Sequence, residues 1–207
     1  MDIKNRRILI TAGPTWAPID SVRVISNIAT GKTGILLAQN LQRLGAKVTL
    51  VLGPAGDCSL NKKIKLIRFR FFDELKQIIR KELRAKEYDI VIHSAAVSDF
   101  KAARAIKGKL VSGRTHNLKL ITLPKISSDI RRYAPEARLI LFKLESGIPD
   151  SELIKRSREM LKRQGANLAV ANRAEPFYRA FITGEDNIYA QVDSKEGLAE
   201  GLVSLLR

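Results

Sequence analysis

The sequence predicts an α/β fold, a Rossmann-like doubly wound parallel sheet with a basic flap and a C-terminal β-hairpin, and three observations carry that expectation. Apolar runs of strand length alternate with segments of helical period in β-α-β-α-β order, which is the pattern of a parallel sheet covered on both faces. Two of those runs end in small residues, Thr11-Ala12-Gly13 and Ala95-Ala96, which let a ligand approach the backbone at a strand end. The chain has 207 residues, 45% of them hydrophobic, so a single domain over 1–207 can bury a core without disulfides or structural metal.

The elements follow in order. Ile8 to Ile10 reads as a buried strand ending at Thr11, Ala12 and Gly13. The small segment Ala29 to Gly34 leads into an apolar stripe at Gly34, Leu37, Ala38, Leu41 and Leu44, which is helical spacing, and the free N–H groups of such a helix start attract anions. Lys47 to Leu52 is a second strand closed by Gly53-Pro54. Asp73 to Lys86 is a helix with Leu75, Ile78, Ile79 and Leu83 inward, and Asp89 to Ala95 is a third strand. From Lys101 to Gly113 the chain is basic and lacks long periodicity, which predicts a mobile flap, followed by a short strand from Leu118 to Leu123. Ile126 to Tyr133 is a short helix, Arg138 to Leu144 a fourth strand, and Asp150 to Gln164 a helix for which Asp150 or Ser151 is the expected cap. Asn167 to Ala171 gives a fifth strand. Phe177 to Thr183 and Asn187 to Val192, around Gly184-Glu185-Asp186, form a hairpin before a last helix from Lys195 to Leu206.

The formal net charge is +16. The basic stretches Lys62 to Arg70 and Arg80 to Lys86 read as solvated faces. Phe100 to Ser128 differs, because it carries seven basic residues (Lys101, Arg104, Lys107, Lys109, Arg114, Lys119, Lys125) and no acid, and it should face anions. Cys58 is the only cysteine, which fits a reducing, cytoplasmic setting, and His93 and His116 are the only histidines, so no zinc-like cluster exists. Neither a signal peptide nor a long apolar span appears, so no membrane partner is expected.

Gly31-Lys32-Thr33 imitates the end of a P-loop, but Ser26 stands where that motif requires glycine, and G-x-G-x-x-G is absent. A parallel sheet brings the ends Thr11 to Thr15, Ala95 to Asp99 and Phe142 to Glu145 to one edge, with Ala171-Asn172 as a fourth. Asn27, Asp99, Lys109 and Asn172 add polar groups there. Each residue also has a plainer reading: an Asx turn at Asn27, flap solubility at Lys109, a core position at Phe142, a surface cation at Arg23. Two other functions stand as alternatives. A nicotinamide-dependent Rossmann-type oxidoreductase lacks its Tyr-x-x-x-Lys pair here, and a basic nucleic-acid-binding protein lacks an RNP motif, zinc finger or aromatic-interleaved basic stretch, so no specific nucleic acid is expected.

Gly13-Pro14-Thr15, Pro18-Ile19-Asp20, Val22-Arg23, Ile25-Ser26-Asn27 and Gly31-Lys32, then Ala95 to Phe100, Gly108-Lys109-Leu110, Pro124-Lys125-Ile126, Phe142 to Glu145 and Ala171-Asn172 recur in an order that resembles phosphopantothenoylcysteine synthetase, in its free-standing form without the decarboxylase domain. The resemblance implies a coenzyme A biosynthesis ligase that joins 4'-phosphopantothenate to L-cysteine through an acyl-nucleotidylate, with Mg²⁺, ATP or CTP as co-substrate, no flavin and a homodimer. It implies catalytic roles for Asn27 and Lys109. Arg23, Ala95, Ala96 and Asp99 would bind substrate, Arg23 by crossing to the neighbouring subunit. Gly13, Ala29, Gly31, Gly34, Pro124, Lys125, Phe142 and Asn172 would bind the nucleotide, and no metal ligand is assigned. Met160, Gln164 and Lys125 depart from the pattern of many CTP-using enzymes, which leaves ATP and CTP both open. Trp16 and Ala17 replace a common Arg-Glu, and Arg173 a frequent aspartate.

Overall fold

The computed structural model describes residues 2–56 and 58–207. Strand β1 (Arg7–Ala12) is followed by a small hairpin of β2 (Trp16–Pro18) and β3 (Val24–Ser26), helix α1 (Lys32–Arg43), β4 (Lys47–Leu52) and β5 (Lys65–Arg68). Next come α2 (Phe72–Ala85), β6 (Ile90–His93), β7 (Phe100–Ala102), β8 (Leu120–Thr122), α3 (Ile126–Tyr133) and β9 (Arg138–Leu144). The chain closes with α4 (Asp150–Gln164), β10 (Leu168–Arg173), β11 (Arg179–Thr183), β12 (Ile188–Val192) and α5 (Lys195–Leu206).

Eight strands form the main sheet in the order β12-β11-β10-β9-β6-β1-β4-β5. From β10 to β5 all pairings are parallel, and β11 and β12 add an antiparallel hairpin at one edge. The chain leaves β1 toward β4 and β5, then returns to the other flank through β6, β9 and β10. That reversal opens a crevice beyond the carboxyl ends of β1 and β6.

The strands read as continuous apolar runs because both faces are covered. Ile8, Ile10, Leu50, Ile92 and Val170 pack under α1 and α5, whereas Leu9, Val51, Val91, Leu139 and Ala169 pack under α2, α3 and α4. In α1, Gly34, Leu37, Ala38 and Leu41 are buried on one stripe, and each buried leucine contributes about 1.5–3 kcal/mol.

Four expectations change. The basic stretch from Lys62 to Arg70 contains β5, an edge strand paired parallel to β4, because exposed lysine and arginine side chains do not prevent backbone pairing at a sheet edge. The segment after Gly13 forms the β2–β3 hairpin, and Phe100–Ala102 pairs with β8 as a second ribbon. Helix α4 has Pro149 at its N-cap and no side-chain cap; the Asp150 carboxylate instead accepts from Arg179 Nη1 at 3.1 Å. Among the described residues, no helix is long and apolar enough to cross a membrane.

Candidate active site

The crevice is built from backbone. Beyond the sheet proper, β1 and β6 stay zipped by four hydrogen bonds: Ser94 N to the Thr11 carbonyl at 3.0 Å, Ala96 N to Gly13 O at 3.0 Å, Thr15 N to Ala96 O at 3.2 Å, and the Ser94 hydroxyl to Thr11 O at 2.7 Å. Thr15 and Ser98 seal the next step, with Ser98 N donating to Thr15 Oγ1 at 2.8 Å and the two hydroxyls 2.9 Å apart. This buried pair carries the rim but has no distinctive sequence signal beyond its place in Gly-Pro-Thr and before Asp99.

Helix α1 aims its N-terminus at this rim. Its N-cap, Gly31, has φ +74, so a side chain there would be strained, and the cap itself offers no acceptor; Thr30 Oγ1 accepts from Lys32 N at a long 3.4 Å. A Cβ on Gly31 would lie 3.3 Å from Gly13 N, and one on Gly34 would overlap Ala12 and approach Ser94 Oγ to 3.0 Å. Glycine at both positions therefore seats the N-terminus of α1 against the strand ends, a site for an anion. Lys32, in the first turn, pairs with Glu196 at 2.6 Å.

Asn27 follows β3 and donates from Nδ2 to the Ala96 carbonyl at 2.9 Å. One amide proton is thus committed, leaving the other proton and Oδ1 facing outward. Gly13, Asn27, Gly31, Gly34, Ala95 and Ala96 come together at this rim, with Ala29 half-buried in the connecting loop. Phe142 and Asn172 lie on the same rim farther along the sheet, on β9 and β10.

The other expected residues belong to a second region. Asp99 forms an ion pair with Lys125, and both side chains are more than half exposed. Pro124 is exposed beside them. The flap is docked on the β2–β3 hairpin rather than loose: Ser21 N donates to Gly108 O at 3.1 Å, Ile106 N to Ile19 O at 2.9 Å, and Leu110 N to Asp20 Oδ2 at 3.0 Å. Asp20 is buried and also accepts from Val22 N and Arg23 N at 2.8 Å each and from the Arg23 guanidinium. These donors, the Leu110 amide foremost, hold its carboxyl well below the usual carboxylate range. Sequence reasoning quoted Asp20 without a role; an aspartate two and three residues before the amides it binds is the local sign of an Asx-type turn. Arg23 is engaged inside its own hairpin by Asp20. Lys109, between two anchored residues, is exposed and has no hydrogen-bond or ion-pair partner among the described residues.

His93, at the end of β6, places Nδ1 2.7 Å from Thr11 Oγ1, and burial lowers its pKa to about 4, so it is neutral at pH 7. Among the described residues no group of three or more His, Cys, Asp or Glu side chains could hold a metal ion.

Residues 3–200 match the family model described as the DNA/pantothenate metabolism flavoprotein C-terminal domain. The chain is 35% identical over 175 residues to the coenzyme A biosynthesis bifunctional protein CoaBC of Thermococcus kodakarensis, covering 84% of this chain and 43% of that protein. The chain thus spans less than half the length of the curated relatives it matches. It is similar to the solved DNA/pantothenate metabolism flavoprotein from Streptococcus pneumoniae, with a TM-score of 0.86, 25% identity, and 97% and 98% of the two chains covered. A Cab2 mutant in complex with phosphopantothenate-cysteine shares the fold at a TM-score of 0.79 and 18% identity, with 98% of this chain and 86% of that one covered.

Proposed function

The chain belongs to the DNA/pantothenate metabolism flavoprotein C-terminal domain family, and on that premise we propose that it joins 4'-phosphopantothenate to L-cysteine in coenzyme A biosynthesis. The observation that carries this reading is the convergence, at one switch-point rim, of two small-residue strand ends, the N-terminus of α1 and the Asn27 amide.

A carboxylate does not acylate an amine until it carries a leaving group. In this reading a carboxylate oxygen of phosphopantothenate attacks the α-phosphorus of ATP or CTP, and the α–β P–O bond breaks to release pyrophosphate. The amine of cysteine then attacks the acyl carbon, a C–N bond forms, the C–O bond to the nucleotide breaks, and the amine gives up a proton to solvent. Charge develops on the α-phosphate and pyrophosphate. The N–H groups at Gly31 and the first turn of α1, and the unengaged Lys109 ammonium, are the donors suited to that charge. Asn27 Oδ1 and its second N–H suit the carboxyl group or the acyl-nucleotidylate. Ala95 and Ala96 leave room for the substrate chain, and Asp99 and Lys125 flank it as a paired acid and base.

Mg²⁺ fits as part of the triphosphate complex, since Mg²⁺ is held largely by phosphate oxygens and water and the described residues offer no cage of three or more His, Cys, Asp or Glu ligands. A homodimer fits the loops beside the two small sheets, which expose Val22 (64%), Val111 (65%) and Ile28 (100%). In this reading Arg23, paired with Asp20 within its own hairpin, serves the neighbouring subunit's substrate. The unpaired thiol Cys58 suits a cytoplasmic setting.

The test is pyrophosphate release in the presence of phosphopantothenate, cysteine and Mg²⁺, run with ATP and CTP in parallel. Release that requires phosphopantothenate, with one phosphopantothenoylcysteine formed per pyrophosphate, is the expected result. No release with either nucleotide would reject the proposal.

A further inference from the structure

On the face of the sheet under α1 and α5, three residues form a row whose last member has no role above. Phe142 pairs with Val170, and Leu144 with Asn172, so Phe142 and Asn172 are diagonal neighbours across β9 and β10. Asn172 in turn pairs with Ala180, and Tyr178, two residues earlier, is its diagonal neighbour on the far side. Residues two apart along a strand share a face, and both Phe142 and Tyr178 pack against the core layer beneath α1 and α5.

Two polar atoms in this row, Asn172 Oδ1 and the Tyr178 hydroxyl, are buried without a hydrogen-bond partner among the described residues. Buried polar groups in folded proteins are nearly always paired, so two unpaired atoms on diagonal neighbours at this end of the sheet point to a ligand that completes them. Tyr178 also senses Glu196, which is held by Lys32 at the start of α1. Burial, and then the Glu196 charge, push the phenol above its ordinary range, so the hydroxyl is protonated and able to donate or accept.

We propose that the Tyr178 hydroxyl is a specificity determinant for the nucleotide, reading the edge of a base whose ring lies against Phe142 and whose exocyclic group meets the Asn172 amide. The inference rests on the ligase reading and adds a residue to it. Adenine and cytosine present an exocyclic N–H beside a bare ring nitrogen, which satisfies Asn172 Oδ1 and leaves the ring nitrogen for the phenol proton. Hypoxanthine and uracil reverse both groups, so each would set an oxygen against Asn172 Oδ1, and its ring N–H would meet the phenol only if the hydroxyl turned to accept.

The experiment compares the wild-type chain with Tyr178→Phe, using ATP, CTP, ITP and UTP in the pyrophosphate assay, together with thermal melting of both free proteins. For the wild type, the amino-bearing nucleotides are expected to be preferred. For Tyr178→Phe, KM for the preferred nucleotide should rise by about five- to tenfold with kcat within about twofold, as expected for one lost neutral hydrogen bond, and preference over the deaminated partner should narrow by a smaller factor, since the hydroxyl must turn to accept from a ring N–H. The variant should melt no earlier than wild type, because the hydroxyl has no protein partner to lose. Wild-type turnover with an unchanged KM and base ranking in Tyr178→Phe would overturn this inference alone, as would earlier melting, which would reveal a structural partner. A wild type that turns over none of the four would overturn the ligase reading and this inference with it.

Discussion

At the rim, Gly13 faces the backbone of Gly53, Gly31 that of Gly13, and Gly34 the Ala12 and Ser94 side chains, while hydrogen bonds from Ser94, Thr15 and Ala96 zip the ends of β1 and β6 beside them. The flap, by contrast, meets the hairpin through isolated hydrogen bonds at Ile106, Gly108 and Leu110, with one buried carboxylate, Asp20, gathering the last of them. The difference teaches how the fold divides its labour. In the proposed reaction the donors that must not move are main-chain groups of the sheet and α1, while the exposed Lys109, the donor for a transient charge, sits on a loop tethered on either side of it.

Lys109→Gln separates the two regions most sharply. Turnover should fall by about 10²–10³-fold with melting unchanged, since in the proposed reaction the lysine supports developing charge and it makes no hydrogen bond or ion pair among the described residues. Equal turnover in the variant would remove the flap from the chemistry.

The rim should instead respond to pH through His93. Its folded pKa is about 4 against about 6.5 for an unfolded histidine. The unfolded chain therefore binds the extra proton between those values. Stability from this group is fully present above about pH 6.5 and is lost as pH falls toward 4, by up to about 3 kcal/mol. Chemical denaturation at pH 7 and pH 5 checks this, and His93→Gln should flatten the slope.

Gly34→Val tests the rim's packing. Its Cβ would meet Ala12 and Ser94 Oγ, and overpacking costs about 2 kcal/mol, or roughly 4–8 °C in Tm for a chain of this size. The smallest effect belongs to the tether. Asp20→Asn should lower Tm by about 2–4 °C and speed proteolytic nicking within 103–119 by a few-fold, because the Leu110 amide and Arg23 lose their charged acceptor.

The same division explains what was legible in the sequence. The bounds of α3, β9, α4 and α5 agree with the expected segments, because buried strands and amphipathic helices write their periods into the chain. Gly13, Asn27, Gly31, Ala95 and Ala96 met as expected because short glycine-bearing loops at sheet ends leave little freedom. By contrast, β5 escaped notice since its exposed Lys65, Leu66 and Arg68 carry no strand period. The three-residue strands β2, β3 and β7 are too short to show one. The Asp20 to Leu110 tether spans 90 positions, and the pairing of Asp99 with Lys125 likewise depends on tertiary placement.

The central claim is that the rim turns a carboxylate into a mixed anhydride with the α-phosphate, and oxygen tracing tests it most directly. Phosphopantothenate labelled with ¹⁸O in its carboxylate should deliver one ¹⁸O to the released nucleoside monophosphate during turnover with cysteine. Label appearing in inorganic phosphate, or retained wholly in the substrate while product forms, would contradict the account.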